Sequence, residues 1–473
     1  MTSIVLTIAD QLAKRTEFTP LALERAQDAV IDTLGCMLAG AKDASVQSVL
    51  RAFANEQGPT ARHWMVTGNH ACASVSALVN GTAAHALDFD DNFHPARAHA
   101  SAVLVPALLS ASGLIGKVSG MEFLKAYLTG LEAQASVGYG VNPSHYNRGW
   151  HGTSTVGAIG AAAGVASLMR ANVEQTAQAM SLATSMASGP KGQFGTQAKP
   201  IHAGLAARNA VEAARLALAG ASGRLDILER EQGFKDLFGG DEPSGWDSWR
   251  LGEGHVIETR GLVTKRHPCC ASAHRAIDAV LDLKRDHRLL EDDIASIDIK
   301  VGISAFQNLA YVKPENEMQA RFSMEYCVAT AFRNGSLSLP DFTEASVKDA
   351  SKTSLMRKLQ MRSYTADQEK GHERLPHRVR ITLIDGSTVE KSRLHAIGAR
   401  EEPLSETQKR LKFSDCLVWG GRSCEALFDR LSQMRNSESV LEDFTNGLLL
   451  MRFEPSTRCN NAAKSMKRPR SDS

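Results

Sequence analysis

The sequence predicts a mainly α protein in which a large all-helical domain is joined to a smaller α+β domain. From Leu21 to about Gly223, Ala-rich apolar segments with helical spacing are separated by Gly, Pro, Asn and Ser. After about Gly254, two segments instead alternate apolar and polar residues with the period of two that strands have. A chain of 473 residues is also too long for one ordinary core, which favours two domains.

The first half contains segments typical of packed helices. In LALERAQDAVIDTLGCMLAG, apolar residues recur every three or four positions, and Gly40 is a suitable helix end. The segment TSTVGAIGAAAGVASLM consists largely of small residues, which let helices approach closely, so it predicts a central helix packed on several sides. We expect this helical domain to cover residues 1–261.

The second half contains the predicted strands. IASIDIKVG (Ile294–Gly302) and HRVRITLIDGSTVEKSRL (His377–Leu394) alternate as strands do, and Asp-Gly within the second predicts a hairpin turn. Between them, MEYCVATAFRNG and EASVKDASKTSLMRKLQM (Glu344–Met361) predict helices. We therefore expect a smaller α+β domain over residues 262–396, followed by helices over 397–450 that pack back onto the first domain.

Composition and charge argue against several classes of protein. The 54 Lys and Arg residues nearly balance the 52 Asp and Glu residues, so we expect no nucleic-acid partner. The most apolar windows are shorter than the roughly 20 residues of a membrane span, so we expect no membrane association. The N-terminus lacks signal-peptide features and the eight cysteines lack metal-site spacing, which indicates a cytoplasmic protein with reduced thiols. The polar, basic residues 451–473 predict a disordered tail.

The stretch HALDFDDNFHPARAH places many ionisable groups between two apolar helical segments. Because burying an unpaired carboxylate is costly, such a cluster is either a solvated loop or a site where charges are paired. Carboxylates beside histidines suit proton transfer, whereas capping of a helix end is the structural alternative for Asp88 or Asp91. The candidate residues are Asp88, Asp90, Asp91, His94, Arg97 and His99.

Four further stretches offer cations and histidines: NRGWHGTSTVG, KGQFGTQAKPIHAGLAARNA, VTKRHPCCASAHRAIDAV and NEMQARFSMEY. Three of them precede predicted helices, whose amino ends attract anions, and one lies at the domain junction, where clefts form. Each residue also has an ordinary interpretation as a cap, a loop residue or a packed core residue. In chain order the candidates are Arg148, His151, Lys199, His202, Lys265, His267, Cys270, Gln319 and Arg321.

This inventory of cations suits a polyanionic ligand. Neither a phosphate-binding loop nor a dinucleotide fingerprint after a strand is present, so carboxylates are the natural candidate. The same cations would stabilise the negative charge that develops when a proton leaves the carbon next to a carboxylate.

Four motifs resemble the MmgE/PrpD family over most of the chain, to about Leu449: H-A-L-D-F-D-D-x-x-H-P, G-W-H-x-T-x-x-x-G, T-Q-x-K-P-x-H-x-G-x-A-A-R-N and K-x-x-P-C-C-x-x-x-H. That family includes 2-methylcitrate dehydratase, cis-aconitate decarboxylase and iminodisuccinate epimerase. The resemblance implies a large helical domain with a smaller α+β lid domain, a homodimer, and catalysis without metal or organic cofactor.

The resemblance also implies catalytic positions at Asp90, His99, Lys199 and the segment from Lys265 to Cys270. Animal cis-aconitate decarboxylases carry a histidine where this sequence has Cys270, and the double cysteine is more similar to fungal decarboxylases and to the bacterial epimerase. Arg97 and the segment F-G-T-x-x-K-P also resemble the epimerase.

We therefore expect a cofactor-independent lyase or isomerase that removes a proton next to a carboxylate of a small di- or tricarboxylate. Lys199 would hold a carboxylate and Asp90 with His99 would move the proton. Substrate-binding roles are expected for Asp91, His94, Arg97, His151, His202, His267, Gln319 and Arg321.

Two alternatives stay open at this point. One is a magnesium-dependent helical isoprenoid synthase, although Leu290–Asp293, just before a predicted strand, is a poor candidate for its second Asp-rich segment. The other is a non-catalytic helical scaffold.

Overall fold

The structure, a computed structural model, describes residues 3–56, 63–240, 245–247, 254–349, 352–372, 374–423, 425–440, 442, 444 and 452–453. It confirms the predicted class, because the chain is mainly α-helical with a small mixed sheet in its second half. Within these ranges, no helix is both long enough and apolar enough to cross a membrane.

The first part of the chain is helical. Two short strands, β1 (His63–Trp64) and β2 (His70–Ala71), pair antiparallel. The helices are α1 (Ile4–Lys14), α2 (Pro20–Gly40), α3 (Ala44–Ala52), α4 (Ala73–His85), α5 (Ser101–Ile115), α6 (Gly120–Val141), α7 (Ser144–Asn147), α8 (Val156–Leu168), α9 (Val173–Ser185), α10 (Ala198–Leu218) and α11 (Val256–Thr259).

Small residues let α4 and α10 pack almost backbone to backbone. A Cβ atom on Gly81 would lie 2.9 Å from the Cα atom of Gly204, which is closer than real Cβ contacts. The close approach brings the end of α4 and the start of α10 to one place, where Lys199 reaches the loop that follows α4. The glycines therefore help to position the candidate site.

The second part of the chain contains a four-stranded sheet of order β4-β3-β5-β6. β3 pairs parallel with β4 and antiparallel with β5, and β5 forms a hairpin with β6. The elements are α12 (Ala271–His287), β3 (Ile294–Val301), α13 (Ile303–Asn308), α14 (Glu317–Ala320), α15 (Met324–Asn334), α16 (Glu344–Val347), α17 (Thr353–Met356), β4 (Leu359–Ser363), α18 (Ala366–Glu369), β5 (His377–Leu383) and β6 (Thr388–Arg393).

The strands predicted around Ile294–Gly302 and His377–Leu394 are confirmed, but the helix predicted over Glu344–Met361 is wrong. That segment contains the short helices α16 and α17, and it ends in β4. The physical reason is tertiary, because β4 completes the sheet by pairing with β3. A five-residue edge strand leaves little pattern in the sequence.

Two separate clusters of buried hydrophobic residues form the cores of the helical part and of the α+β part. The chain then continues through α19 (Glu406–Trp419), β7 (Arg422–Ser423), α20 (Glu425–Ser432) and β8 (Arg452–Phe453). α19 packs on α2, where Lys412 lies 2.7 Å from Asp32. Arg452 and Phe453, from the predicted tail, pair with β7, whereas residues 454–473 lie outside the described residues. The domain boundaries at 261 and 396 stay predictions.

Candidate active site

The loop between α4 and α5 carries the candidate carboxylates. Backbone bridges join Phe93 to Ala98 within the loop and Asn92 to Val263 in the following part of the chain. Asp88 has a positive φ of 52°, a conformation that non-glycine residues adopt only when their surroundings stabilise it. The loop is thus shaped by contacts with distant parts of the chain.

Asp88 is held by two buried lysines. Its carboxylate forms an ion pair with Lys199, and Oδ2 lies 3.2 Å from Nζ of Lys265. Lys265 also donates a 2.7 Å hydrogen bond to the backbone oxygen of Asp88. Burial raises the pKa of Asp88, but the charges of the two lysines outweigh it and hold the pKa well below its usual value. Asp88, which the sequence predicted as a member of the candidate cluster or alternatively as a helix cap, therefore lies at the centre of the cluster.

Asp90 lies between two histidines. Its Oδ2 atom is 2.8 Å from Nδ1 of His85 and 3.1 Å from Nδ1 of His99. Burial raises the pKa of Asp90, but the two histidines hold it well below its usual value. Burial lowers the pKa of His85 to about 3 and also lowers that of His99. At neutral pH an ionised carboxylate is therefore flanked by two neutral imidazoles.

His99 is the accessible member of this group. Its side chain is 12% exposed, whereas those of Asp90 and His85 are fully buried. When the proton of the neutral ring is on Nδ1 and faces Asp90, Nε2 carries the lone pair. This Nε2 atom lies 3.8 Å from Oδ1 of Asp88. This is the arrangement of a general base that a neighbouring carboxylate orients. The pattern H-A-L-D-F-D places His85 five residues before Asp90, which is the signal that could have identified His85 as its partner.

Two further histidines and an aromatic wall surround Lys199. His151 and His202 face each other with 3.3 Å between their Nδ1 atoms, and burial lowers the pKa of both. The ring of Phe194 lies 4.9 Å from that of His151. Nζ of Lys199 lies 5.4 Å from the ring centre of Phe194 and 5.2 Å from that of Phe322. The lysine therefore lies in a poorly solvated place, where its charge acts strongly.

Asp91, the third aspartate of the loop, has a different role from its neighbours. It accepts hydrogen bonds from the backbone and the hydroxyl of Ser101, the first residue of α5, and that hydroxyl contacts Tyr127. Burial raises the pKa of Asp91 to about 7. Its contacts match the capping alternative more closely than a substrate-binding role.

The structure places several other candidates at the edge of the cluster or away from it. Cys270 is half-buried next to the cluster, and burial raises the pKa of its thiol. His267 lies in the α+β part, 3.1 Å from Asp278. Arg148 is exposed, while His94 and Arg97 line a separate cavity.

The two candidates before α15 differ from each other. Gln319 accepts a hydrogen bond from the backbone of Glu315 within a local turn. Arg321 is only 1% exposed, stacks 4.7 Å above Phe342 and presents Nε and Nη1 without a hydrogen-bond partner among the described residues. Its backbone oxygen accepts a bond from Cys270, so this arginine lies beside the cluster.

The cluster also contains the donor types that metals use. Ligand atoms of His85, Asp88, Asp90 and His99 lie within 4.8 Å of one another. However, the ammonium groups of Lys199 and Lys265 already neutralise Asp88 and would repel a cation. These charges fit proton transfer better than metal binding.

Comparison with known families shows to which family the chain belongs. Residues 9–247 match the MmgE/PrpD N-terminal domain and residues 267–426 match the MmgE/PrpD C-terminal domain. The chain belongs to the MmgE/PrpD family. Human cis-aconitate decarboxylase is 29% identical over 79% of this chain and 79% of its own length. The cis-aconitate decarboxylase of Aspergillus terreus is 24% identical over 80% and 82%, respectively.

A mitochondrial 2-methylcitrate dehydratase of Yarrowia lipolytica is 26% identical over 93% of this chain and 88% of its own length. These MmgE/PrpD relatives are lyase-type enzymes. The comparisons confirm the family predicted from the motifs and lend no support to the isoprenoid-synthase alternative.

Proposed function

We propose that the chain is a lyase or epimerase that removes the proton next to a carboxylate of a small di- or tricarboxylate, without a metal or organic cofactor. The observation that carries this proposal is the geometry of His99, a neutral and partly exposed imidazole oriented by ionised Asp90. Relatives of the chain are named as a cis-aconitate decarboxylase and a 2-methylcitrate dehydratase, whose substrates are small carboxylates of this kind.

In the proposed step, Nε2 of His99 takes the proton and the C–H electrons move onto the adjacent carboxylate. Asp90 then stabilises the imidazolium that forms, as a buried carboxylate does for a catalytic histidine. In dehydration the His99 imidazolium would return its proton to the departing hydroxyl, which leaves as water. In epimerisation the carbon would take a proton supplied by solvent on its other face. Decarboxylation develops similar negative charge when carbon dioxide leaves, and there His99 would deliver to the carbon a proton that it takes up from solvent.

The lysines would stabilise the charge that develops on the substrate carboxylate. Lys199 and Lys265 both contact Asp88, so a bound carboxylate would share their donors with this aspartate. Asp88 is then a positioning residue that keeps two buried ammonium groups together before substrate arrives. Donors arranged in advance are effective because they need no reorganisation during the reaction.

The direct test is proton exchange in deuterated water, followed by NMR, with 2-methylcitrate, citrate, cis-aconitate and iminodisuccinate. We expect deuterium incorporation or product formation with at least one acid, and loss of about a hundredfold or more in His99→Ala. His287→Ala is the matched control, because His287 is exposed at the end of α12. Four unchanged acids, or equal rates in His99→Ala and the parent, would reject the proposal and favour a scaffold.

A chelator tests the proposed cofactor independence. Activity should persist after treatment with EDTA and dialysis, because side chains of the cluster supply the base and the charge stabilisation. Loss of activity that magnesium restores would instead support a metal-dependent reaction.

We also propose a homodimer, which the family resemblance implies, and a cytoplasmic location, which the scattered cysteines favour. Light scattering after size exclusion should give about twice the 51.0 kDa of one chain. A mass of one chain would contradict the dimer, and cell fractionation would test the location.

A further inference from the structure

A second cavity, of about 250 Å³, lies where the α4–α5 loop meets the α+β part of the chain. Its lining includes Arg97 from the loop, Arg275 from α12 and Arg374 before β5, and we call it the arginine cavity. Among the described residues that line it, none carries a carboxylate. Glu369 does not line the cavity, but its negative charge favours the charged form of Arg97. Its carboxylate also accepts a 2.8 Å hydrogen bond from the backbone of Ile303.

The arginines are crowded and at least one is held in place. Burial lowers the pKa of Arg275 to about 9, with the charge of Arg374 contributing, and burial also lowers the pKa of Arg97. Nη1 of Arg275 donates a 2.8 Å hydrogen bond to the backbone of Leu375, while Nη2 lies 2.7 Å from Nε2 of His377. An anion in the cavity would relieve the mutual repulsion, and guanidinium groups match carboxylate and phosphate oxygens.

Neutral donors complete the lining. Asn308 and Ser272 both face the cavity, and Nδ2 of Asn308 lies 3.2 Å from Oγ of Ser272. Ala271 and Ser272 are the first two residues of the 17-residue helix α12, whose amino end carries positive partial charge. The helix terminus therefore adds to a site that the arginines already define.

The arginine cavity adjoins the proton-transfer cluster, but its lining does not include the ionisable residues of the cluster. None of Asp88, Asp90, His99, Lys199 and Lys265 belongs to its lining. Tyr146 lines the cavity, with its ring centre 5.6 Å from Cζ of Arg97 and 3.6 Å from Nζ of Lys191. A ligand in this cavity would thus leave the ion pairs of Asp88 intact.

We propose that the arginine cavity binds a small multivalent oxyanion, either a tricarboxylate or inorganic phosphate, at a site distinct from the proton-transfer cluster. A volume of about 250 Å³ accommodates a molecule of that size. The inference does not depend on the proposed function, because binding requires no turnover.

Isothermal titration calorimetry of the full chain tests the proposal, with tricarballylate in one series and phosphate in another, in buffer free of other multivalent anions. We expect saturable binding of at least one probe, weakened tenfold or more in Arg97→Gln/Arg374→Gln. Arg362→Gln, on the exposed side of β4, is the matched control and should bind within twofold of the parent. His99→Ala should also bind within twofold, because it changes the cluster and leaves the cavity unaltered.

The two probes distinguish the sources of the anion. Preference for tricarballylate would assign the cavity to a polycarboxylate, and preference for phosphate would assign it to a phosphate. Unchanged binding in the double variant, absence of binding to the parent, or equal weakening in His99→Ala would overturn the proposal. If circular dichroism shows that the double variant is unfolded, Arg374→Gln alone is tested instead and should weaken binding at least threefold. A smaller effect of Arg374→Gln would also overturn the proposal.

Discussion

The proton-transfer cluster and the arginine cavity adjoin the same loop, but they differ in whether their buried charges are paired within the site. In the cluster, the carboxylate of Asp88 is paired with Lys199 and Lys265, and that of Asp90 lies between two histidines. In the arginine cavity, the described lining contains cations and no carboxylate. The cluster is therefore organised before any ligand arrives, whereas the lining of the cavity would attract an anionic ligand.

The strongest test of this comparison removes the central carboxylate of the cluster. Asp88→Asn should lower the free energy of unfolding by about 3 to 5 kcal/mol, because it leaves two buried ammonium groups without their partner. Urea denaturation measures the change. Glu344→Gln, in an exposed ion pair with Lys348, should leave the midpoint unchanged. If Asp88→Asn is as stable as the parent, the charges of the cluster are not balanced as described.

A second test concerns the orientation of the base. Asp90→Asn should reduce turnover by about a hundredfold or more with the fold retained, because the amide cannot stabilise the His99 imidazolium. Steady-state kinetics on the best substrate of the panel measures the loss. Asp298→Asn, at a half-buried position of β3 far from the cluster in sequence, is the control. Near-normal turnover in Asp90→Asn would return the cluster to a structural role.

The pH dependence should separate the two regions. Burial lowers the pKa of His99, so its neutral, basic form persists below the ordinary value of about 6.5. We expect kcat/KM to stay level on lowering the pH to about 6.5 and to fall only below it. The arginines of the cavity keep their charge over this range, so Arg97→Gln/Arg374→Gln should show the same midpoint. A midpoint above 6.5 would contradict the assignment of His99.

The smallest expected effect comes from Asp91, whose pKa is about 7 in the folded protein and about 3.9 in an unfolded chain. Because the folded value is raised, the parent loses stability as the pH rises from about 4 to about 7. In Asp91→Asn the side chain can still accept the hydrogen bond from the backbone N–H of Ser101, but it does not ionise, so the variant does not lose stability over this pH range. Its melting temperature should therefore exceed that of the parent by a few degrees at pH 8 and not at pH 5. If the difference in melting temperature between Asp91→Asn and the parent is the same at both pH values, burial does not raise the pKa of Asp91.

Local sequence determined much of the architecture and the family. Helical spacing and small residues predicted the packed helices, and alternation with an Asp-Gly turn predicted β3, β5 and β6, because these patterns depend on neighbours along the chain. The motifs also drew attention to Asp90, His99, Lys199 and Lys265, which the fold brings together. β4 escaped prediction because its pairing with β3 is non-local.

The tertiary structure alone decided what each aspartate of the loop does. Asp88 and Asp90 are ionised while Asp91 has a pKa of about 7, although all three lie within four positions of the chain. The difference arises because Lys199 and Lys265, more than a hundred residues away in sequence, reach Asp88, and two histidines flank Asp90. Asp91 instead accepts hydrogen bonds from Ser101. Charge depends on distance and burial in three dimensions, so the letters D-F-D-D could indicate a site but could not assign its parts.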